Sequence, residues 1–304
     1  MKKVNRDELN VPTFLYIGTG RSGSTWFFEV LREHPDVQLP ANKGTFFFTK
    51  FYELGPSWYE AFFRGQRRHV ARGEVCEDYL ASSDAMRRIK SYRNDMRLIC
   101  CLRNPYERAI SAWRFLNRNG VGCSNLAEQG RCRPEIFNMG NYGSQLQIVR
   151  SLFPEDQILV FLFDDVVSSP NKVVEKLYRF IGVNYEFRPP SVNRTINPNG
   201  KPRSRLLARI VNGIHMRSWG GSRFLSNFAG AIKRVRLLRT LVRTALYDER
   251  PDSGDWLEWL VEFPPEVIAR FEGEITRLEE ILEVDLSHWR APTELLERVR
   301  AERY

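Results

Sequence analysis

Thr13-Phe14-Leu15-Tyr16-Ile17 runs directly into Gly18-Thr19-Gly20-Arg21-Ser22-Gly23-Ser24-Thr25, and Trp26-Phe27-Phe28-Glu29-Val30-Leu31-Arg32-Glu33-His34-Pro35 follows without a break. An apolar β-type run, a glycine-rich turn and an amphipathic helix in that order gather backbone amides and a helix N-terminus around one point, where an anion is stabilised. The spacing is that of the phosphate-binding pattern GxxxxGK[ST], except that Ser24 stands in the lysine position. Arg21 can supply a cation from inside the loop, and Ser22, Ser24 and Thr25 supply hydroxyls. Such turns also occur without a ligand, so the loop alone leaves a purely structural reading open.

Outward from this turn, apolar runs alternate with helix-like stretches. Strands are expected over Val70 to Cys76, Arg97 to Leu102 and Ile158 to Phe163. Helices are expected over Ser24 to Glu33, Ser83 to Tyr92, Pro105 to Leu116, Ser144 to Leu152 and Pro170 to Ile181. This alternation predicts an α/β fold, three layers deep, with a central mostly parallel sheet flanked by helices. The Pro-rich loop Arg188 to Pro202 interrupts the pattern. Beyond it, Arg205 to His215 and Ala231 to Leu246 read as basic amphipathic helices and Pro264 to Leu282 as a longer helix, together a helical C-terminal extension. One domain over 1–304 is expected, its core at about 13–205 and its basic helical part at about 206–304.

A second anion site is suggested by Leu98-Ile99-Cys100-Cys101-Leu102-Arg103-Asn104-Pro105, an apolar strand ending in a polar turn whose proline can open the next helix. Ligands of open α/β sheets gather at such strand ends. Arg103 and Ser111, on the second helical turn, could face one phosphate. Alone, an arginine there is more often a salt-bridge partner.

Together the two stretches resemble the sulfotransferases that use 3′-phosphoadenosine 5′-phosphosulfate (PAPS). Gly18 to Pro35 is similar to their 5′-phosphosulfate loop, and LRNPYERAISAW from Leu102 to the 3′-phosphate site, with Asn104 where an aspartate is usual. The resemblance implies a P-loop-like fold in which Gly20, Arg21, Ser22, Gly23, Ser24, Thr25 and Trp26 hold the 5′ side of the donor. It assigns Arg103 and Ser111 to the 3′-phosphate, and Lys201 and Arg203, in Gly200-Lys201-Pro202-Arg203-Ser204-Arg205, to a basic loop covering the nucleotide. The family usually carries lysine where this chain has Arg21, which keeps the charge and changes the donor geometry. PAPS is then a co-substrate and no metal is required.

For the chemistry, Arg21 and Lys43 are the expected cations. A carboxylate or histidine should take the acceptor's proton. Relatives carry a Lys-Glu pair before an aromatic pair, whereas this chain reads Asn42-Lys43-Gly44-Thr45-Phe46-Phe47-Phe48, with Gly44 in the glutamate position. Glu74 and Asp78, in Gly73-Glu74-Val75-Cys76-Glu77-Asp78-Tyr79-Leu80, are the replacements considered; each could instead be a structural carboxylate. His34 reads as structural. Phe46 to Phe48 with Phe51, Tyr52, Trp58 and Tyr59 could wall an acceptor pocket, but core positions are the better reading for most of them.

The 304 residues, 42% of them hydrophobic, suffice for a substantial core. MKKVNRDELN carries no apolar segment behind it, so neither a secretory signal nor an anchor is read there. Five cysteines, Cys76, Cys100, Cys101, Cys123 and Cys132, form an odd set that suits reduced thiols in a cytoplasm. Cys123 and Cys132 could pair. The formal charge of +9 is concentrated in Phe187 to Tyr247, which holds thirteen Lys and Arg residues and no Asp or Glu. That block suits an anionic ligand, acceptor or membrane face, or a solvated helical surface. The expected partner is a hydroxyl-bearing acceptor (sugar, lipid-linked or natural-product alcohol), with no nucleic acid. The alternatives are a P-loop kinase or nucleotide hydrolase, opposed by Ser24, and a non-catalytic polyanion binder using the basic block.

Overall fold

The structure is a computed structural model and describes residues 11–64, 71–194, 201–202, 247–248 and 256–292. Five parallel strands form its sheet: β1 (Phe14–Gly18), β2 (Val37–Gln38), β3 (Ala71–Val75), β4 (Arg97–Leu102) and β5 (Ile158–Leu162), in the order β2-β3-β1-β4-β5. β1 is central, and the chain leaves it first toward one edge and later builds the other. The crevice at its C-terminal end is therefore the switch point at which ligands of open α/β sheets bind.

Helices cover both faces. On one, the core joins Phe14 and Tyr16 of β1, Ile99 and Cys101 of β4 and Leu159 and Phe161 of β5 to α1 (Ser24–Glu33) and α10 (Pro170–Ile181). Alternation along each strand sends the intervening residues to the other face. There α4 (Ser83–Tyr92), α8 (Tyr142–Leu152) and α11 (Pro265–Leu282) pack successively, α8 touching both of the others.

The helices begin and end where local chemistry requires. Ser82 Oγ accepts the Ala85 amide at 3.1 Å and caps α4. Pro170 opens α10, and Gly182, at φ 79°, closes it with its amide on Tyr178 and Arg179 carbonyls. The His34 ring ends α1: Nδ1 accepts the Asp36 amide at 3.0 Å and Nε2 lies 2.9 Å from the Asn184 carbonyl, so His34 is structural as expected. Short helices α2 (Phe47–Lys50) and α3 (Pro56–Glu60) connect β2 to β3, and α5 (Pro105–Arg118) follows β4. α6 (Leu126–Cys132) and α7 (Glu135–Asn138) come next, and α9 (Phe163–Ser168) continues directly from β5.

The chain divides into two compact units, Met1–Arg108 with Phe137–Ile196 and Pro265–Tyr304, and Ala109–Ile136 with Asn197–Pro264. α11, the expected C-terminal helix, falls in the sheet unit. Its buried Val267, Ile268, Phe271, Ile275 and Leu278 form an apolar stripe, and Glu274 clamps Ser144 of α8, accepting its amide at 2.8 Å and its hydroxyl at 2.6 Å. In the second unit a two-residue ladder pairs β6 (Lys201–Pro202) with β7 (Tyr247–Asp248). Both expected basic helices, Arg205 to His215 and Ala231 to Leu246, lie outside the described residues. Cys123 and Cys132 are free thiols, as are the buried Cys76, Cys100 and Cys101.

Candidate active site

The turn after β1 is held from both sides of the sheet. The Thr19 amide donates to the Cys101 carbonyl of β4 at 3.1 Å, and the Leu80 amide, beyond β3, donates to the Ile17 carbonyl at 2.8 Å. Arg21 (φ 72°) and Gly23 (φ 81°) are left-handed, the curvature with which successive amides form an anion nest. Gly23 is required twice over, because the Phe163 ring stands 3.3 Å from where its Cβ would be. No acidic residue occupies the first turn of α1, so its positive end is uncompensated from within the helix.

Ser22 is fully buried, and its Oγ has no hydrogen-bond partner. Such an orphan costs about 1–3 kcal/mol. A ligand oxygen in the cradle would satisfy it, so the residues present fit a bound phosphate or sulfate group.

Cations converge on the same turn. Lys43 Nζ donates to Ser24 Oγ at 3.0 Å, lies 3.5 Å from Thr25 Oγ1 and stands 2.9 Å from Glu77 Oε2, the last without hydrogen-bond alignment. A lysine from outside the loop thereby brings an ammonium to the position that Ser24 leaves without one. Arg103 Nη1 donates to the Arg21 carbonyl at 3.4 Å, and its guanidinium covers the Phe163 ring at 4.8 Å. Its Nε and Nη2 both donate to Glu107 Oε2, at 2.8 and 2.7 Å, which fixes the plane of the fork. Arg21, Ser22, Gly23, Ser24, Thr25, Lys43 and Arg103 are therefore one constellation, with Gly20 in the same loop.

Trp26 is 6% exposed in the core and its Nε1 donates to the Val192 carbonyl at 3.0 Å, while its main chain lies in the first turn of α1, directly after the loop. Ser111 is buried on α5 and belongs to the second unit. Lys201 pairs with Asp248 in the β6–β7 ladder, and Arg203 is outside the described residues.

On the acceptor side the carboxylates differ sharply. Glu74, on β3, has no exposed surface; one oxygen accepts the Thr45 amide and the other accepts Tyr59 Oη at 2.8 Å and Tyr79 Oη at 3.1 Å. Burial raises its pKa, against the opposing pull of those hydrogen bonds. The expectation that Glu74 serves as base meets a fully buried carboxylate engaged by the Thr45 amide and two tyrosine hydroxyls. Phe47 stacks on Tyr59 at 4.6 Å, and both rings and Phe48 are fully buried, so this part of the suggested acceptor wall is core. Asp78 is partly exposed, lies 3.5 Å from Lys50 Nζ, and burial raises its pKa as well.

Glu77 was not singled out by its sequence. It follows β3 at the ligand-binding edge, its Cγ 3.6 Å from where a Gly20 Cβ would be. Its place directly after a strand end, as with Arg103, is the signal that could have found it. Among the described residues no group of three or more His, Cys, Asp or Glu is placed to hold a metal ion, and no helix is long and apolar enough to cross a membrane.

Comparison with known proteins agrees with this geometry. Human heparan sulfate glucosamine 3-O-sulfotransferase 6 is 28% identical over 186 residues, covering 57% of this chain and 52% of the relative. The membrane-associated sulfotransferase kil1 of Dictyostelium discoideum is 29% identical over 110 residues, 35% of this chain and 23% of that protein. The chain thus spans about half or less of the length of these curated relatives. A sulfotransferase of Alicyclobacillus acidocaldarius shares the fold, with a TM-score of 0.63 at 21% identity over 92% of this chain and 98% of that one. The sulfotransferase domain model matches residues 12–198, from the strand before the phosphate loop to the segment after α10, and the chain belongs to that family.

Proposed function

We propose that this chain transfers a sulfuryl group from PAPS to an acceptor hydroxyl and releases adenosine 3′,5′-bisphosphate. One observation carries the reading: Lys43 and Arg103 meet a left-handed, amide-rich turn that contains Arg21 and the buried, unpartnered Ser22 hydroxyl. Loop amides with Ser22, Ser24 and Thr25 would hold the 5′-phosphosulfate, and Arg103 with Ser111 the 3′-phosphate. Lys201 and Arg203 would cover the nucleotide.

Sulfuryl transfer, like phosphoryl transfer, passes through a loose transition state that responds to in-line positioning and to charge stabilisation. Lys43 and Arg21 would neutralise charge on the leaving phosphate oxygen as the sulfur–oxygen bond breaks. The names of the curated relatives favour a saccharide hydroxyl as acceptor. The odd cysteine count supports a cytoplasmic setting, and the basic block supports contact with an anionic surface.

The test uses PAPS carrying radioactive sulfur, in EDTA, with heparan-type oligosaccharides as acceptors. Equal amounts of bisphosphate and labelled sulfate ester are expected. Nucleotide triphosphate hydrolysis with magnesium, and no transfer from PAPS, would overturn the proposal.

A further inference from the structure

The Lys-Glu pair expected before the aromatic residues is broken in this chain by Gly44. The structure gives a physical reason why a glutamate does not stand there. Gly44 adopts φ 74°, and a Cβ at this position would lie 2.8 Å from the Phe46 ring. Phe46 is itself left-handed (φ 56°), with Lys50 Nζ 4.3 Å from its ring centre. A side chain at residue 44 would meet both a strained backbone and an occupied space. The segment keeps its lysine and has lost the room for its carboxylate.

A carboxylate nevertheless stands beside that lysine. Glu77 reaches it from the turn after β3, its Oε2 2.9 Å from Lys43 Nζ, and its stem lies against the phosphate loop at Gly20. Its neighbours in sequence are engaged elsewhere: Glu74 is closed in by Thr45, Tyr59 and Tyr79, and Asp78 turns to Lys50. Glu107, another carboxylate near the loop, is held by two nitrogens of Arg103.

We infer that Glu77 is the general base of this site, taking from a different strand end the role that Gly44 cannot fill. The inference rests on the sulfuryl-transfer reading. When the donor's negative charge draws the Lys43 ammonium, Glu77 Oε2 is left as a carboxylate beside the loop. The acceptor O–H proton passes to Glu77 as the acceptor oxygen bonds to sulfur. The bond from sulfur to the bridging phosphate oxygen breaks, its electron pair staying on that oxygen beside Lys43. Glu77 then returns the proton to solvent. Charged and titratable groups facing Glu77 are Lys43 from the β2–α2 segment, Asp78 and Cys76 from its own turn, and Tyr16 from β1.

The experiment measures adenosine 3′,5′-bisphosphate binding by calorimetry and bisphosphate release from PAPS, first with water and then with heparan-type oligosaccharides as acceptor. Glu77→Gln should bind the bisphosphate as tightly as the unaltered protein or more tightly, because a negative charge beside the anion site is removed, while turnover falls about 100-fold or more. Glu77→Ala should regain about ten-fold of its turnover in added formate, a small carboxylate that can occupy the vacated space. A merely structural Glu77 would give no formate rescue. Glu77→Gln turnover within about three-fold of normal, with bisphosphate binding intact, overturns the assignment and leaves the donor site standing. An unaltered protein that binds no bisphosphate, or releases none from PAPS, overturns the sulfuryl-transfer reading and the assignment with it.

Discussion

The two sides of the cleft are built differently. On the donor side, a turn after β1 and a strand end on β4 present short-range motifs whose residues act close to where the sequence places them; Arg103 reaches the Arg21 carbonyl across 82 residues of chain because β1 and β4 are parallel neighbours. On the acceptor side, the proposed proton transfer depends on which of several carboxylates stands beside the loop. Glu74 and Glu77 lie on one short segment, yet one is sealed by two tyrosines and the other stands at the loop. Anion binding by backbone and helix end is thus written in local sequence, whereas proton transfer depends on side-chain direction, which only the packing decides.

The largest expected effect probes the contact between the two sides. Lys43→Ala removes the ammonium on Ser24 and should lower turnover by about 1000-fold, with a smaller loss of bisphosphate affinity. Equal losses in both would make Lys43 a binding residue only. Next, Glu74→Ala removes the acceptor shared by the Thr45 amide, Tyr59 and Tyr79, and should destabilise the fold by about 4 kcal/mol in denaturant titration. Full stability in that variant would contradict its role as an internal anchor.

A gentler change sharpens the same contrast through pH. Burial raises the Glu74 pKa above its ordinary value of 4.5, so its favourable contribution is complete below about pH 4.5 and is lost as pH rises through the raised folded value. The stability of the unaltered protein relative to Glu74→Gln should therefore fall as pH rises above about 4.5. A difference that grows over this interval would mean that Glu74 is stabilised as an anion. The smallest effect is expected at Trp26: Trp26→Phe loses the bond to the Val192 carbonyl, about 1 kcal/mol, and leaves bisphosphate affinity unchanged. Weaker nucleotide binding there would show that the Trp26 ring contributes to the donor site.

The boundaries of α1, α4, β4 and α10 were legible because each coincides with a local signal: a glycine turn, a serine cap, an apolar run between polar flanks, a proline start with a glycine stop. β2, two residues long, and α2 and α3, each five residues or fewer, carry too short a period to stand out. The joining of α11 to the sheet unit was hidden because Glu274 meets Ser144 across 130 residues. In the site, the loop and Arg103 could be read directly. The direction of the Trp26 ring and the choice among Glu74, Glu77 and Asp78 could not, because the partners that fix them, Val192, Tyr59 and Lys43, are distant in sequence.

The central claim is a donor site built for two phosphate-bearing ends of one nucleotide. It is tested most directly by titrating the protein, in EDTA, with adenosine 3′,5′-bisphosphate and with ATP while following thermal unfolding, alongside Arg103→Ala. At 100 times its dissociation constant, the bisphosphate should stabilise the fold by about 2.7 kcal/mol. ATP should do little, and Arg103→Ala should weaken the bisphosphate about 100-fold. Equal or greater stabilisation by ATP, or bisphosphate binding unaffected by loss of Arg103, would contradict the account.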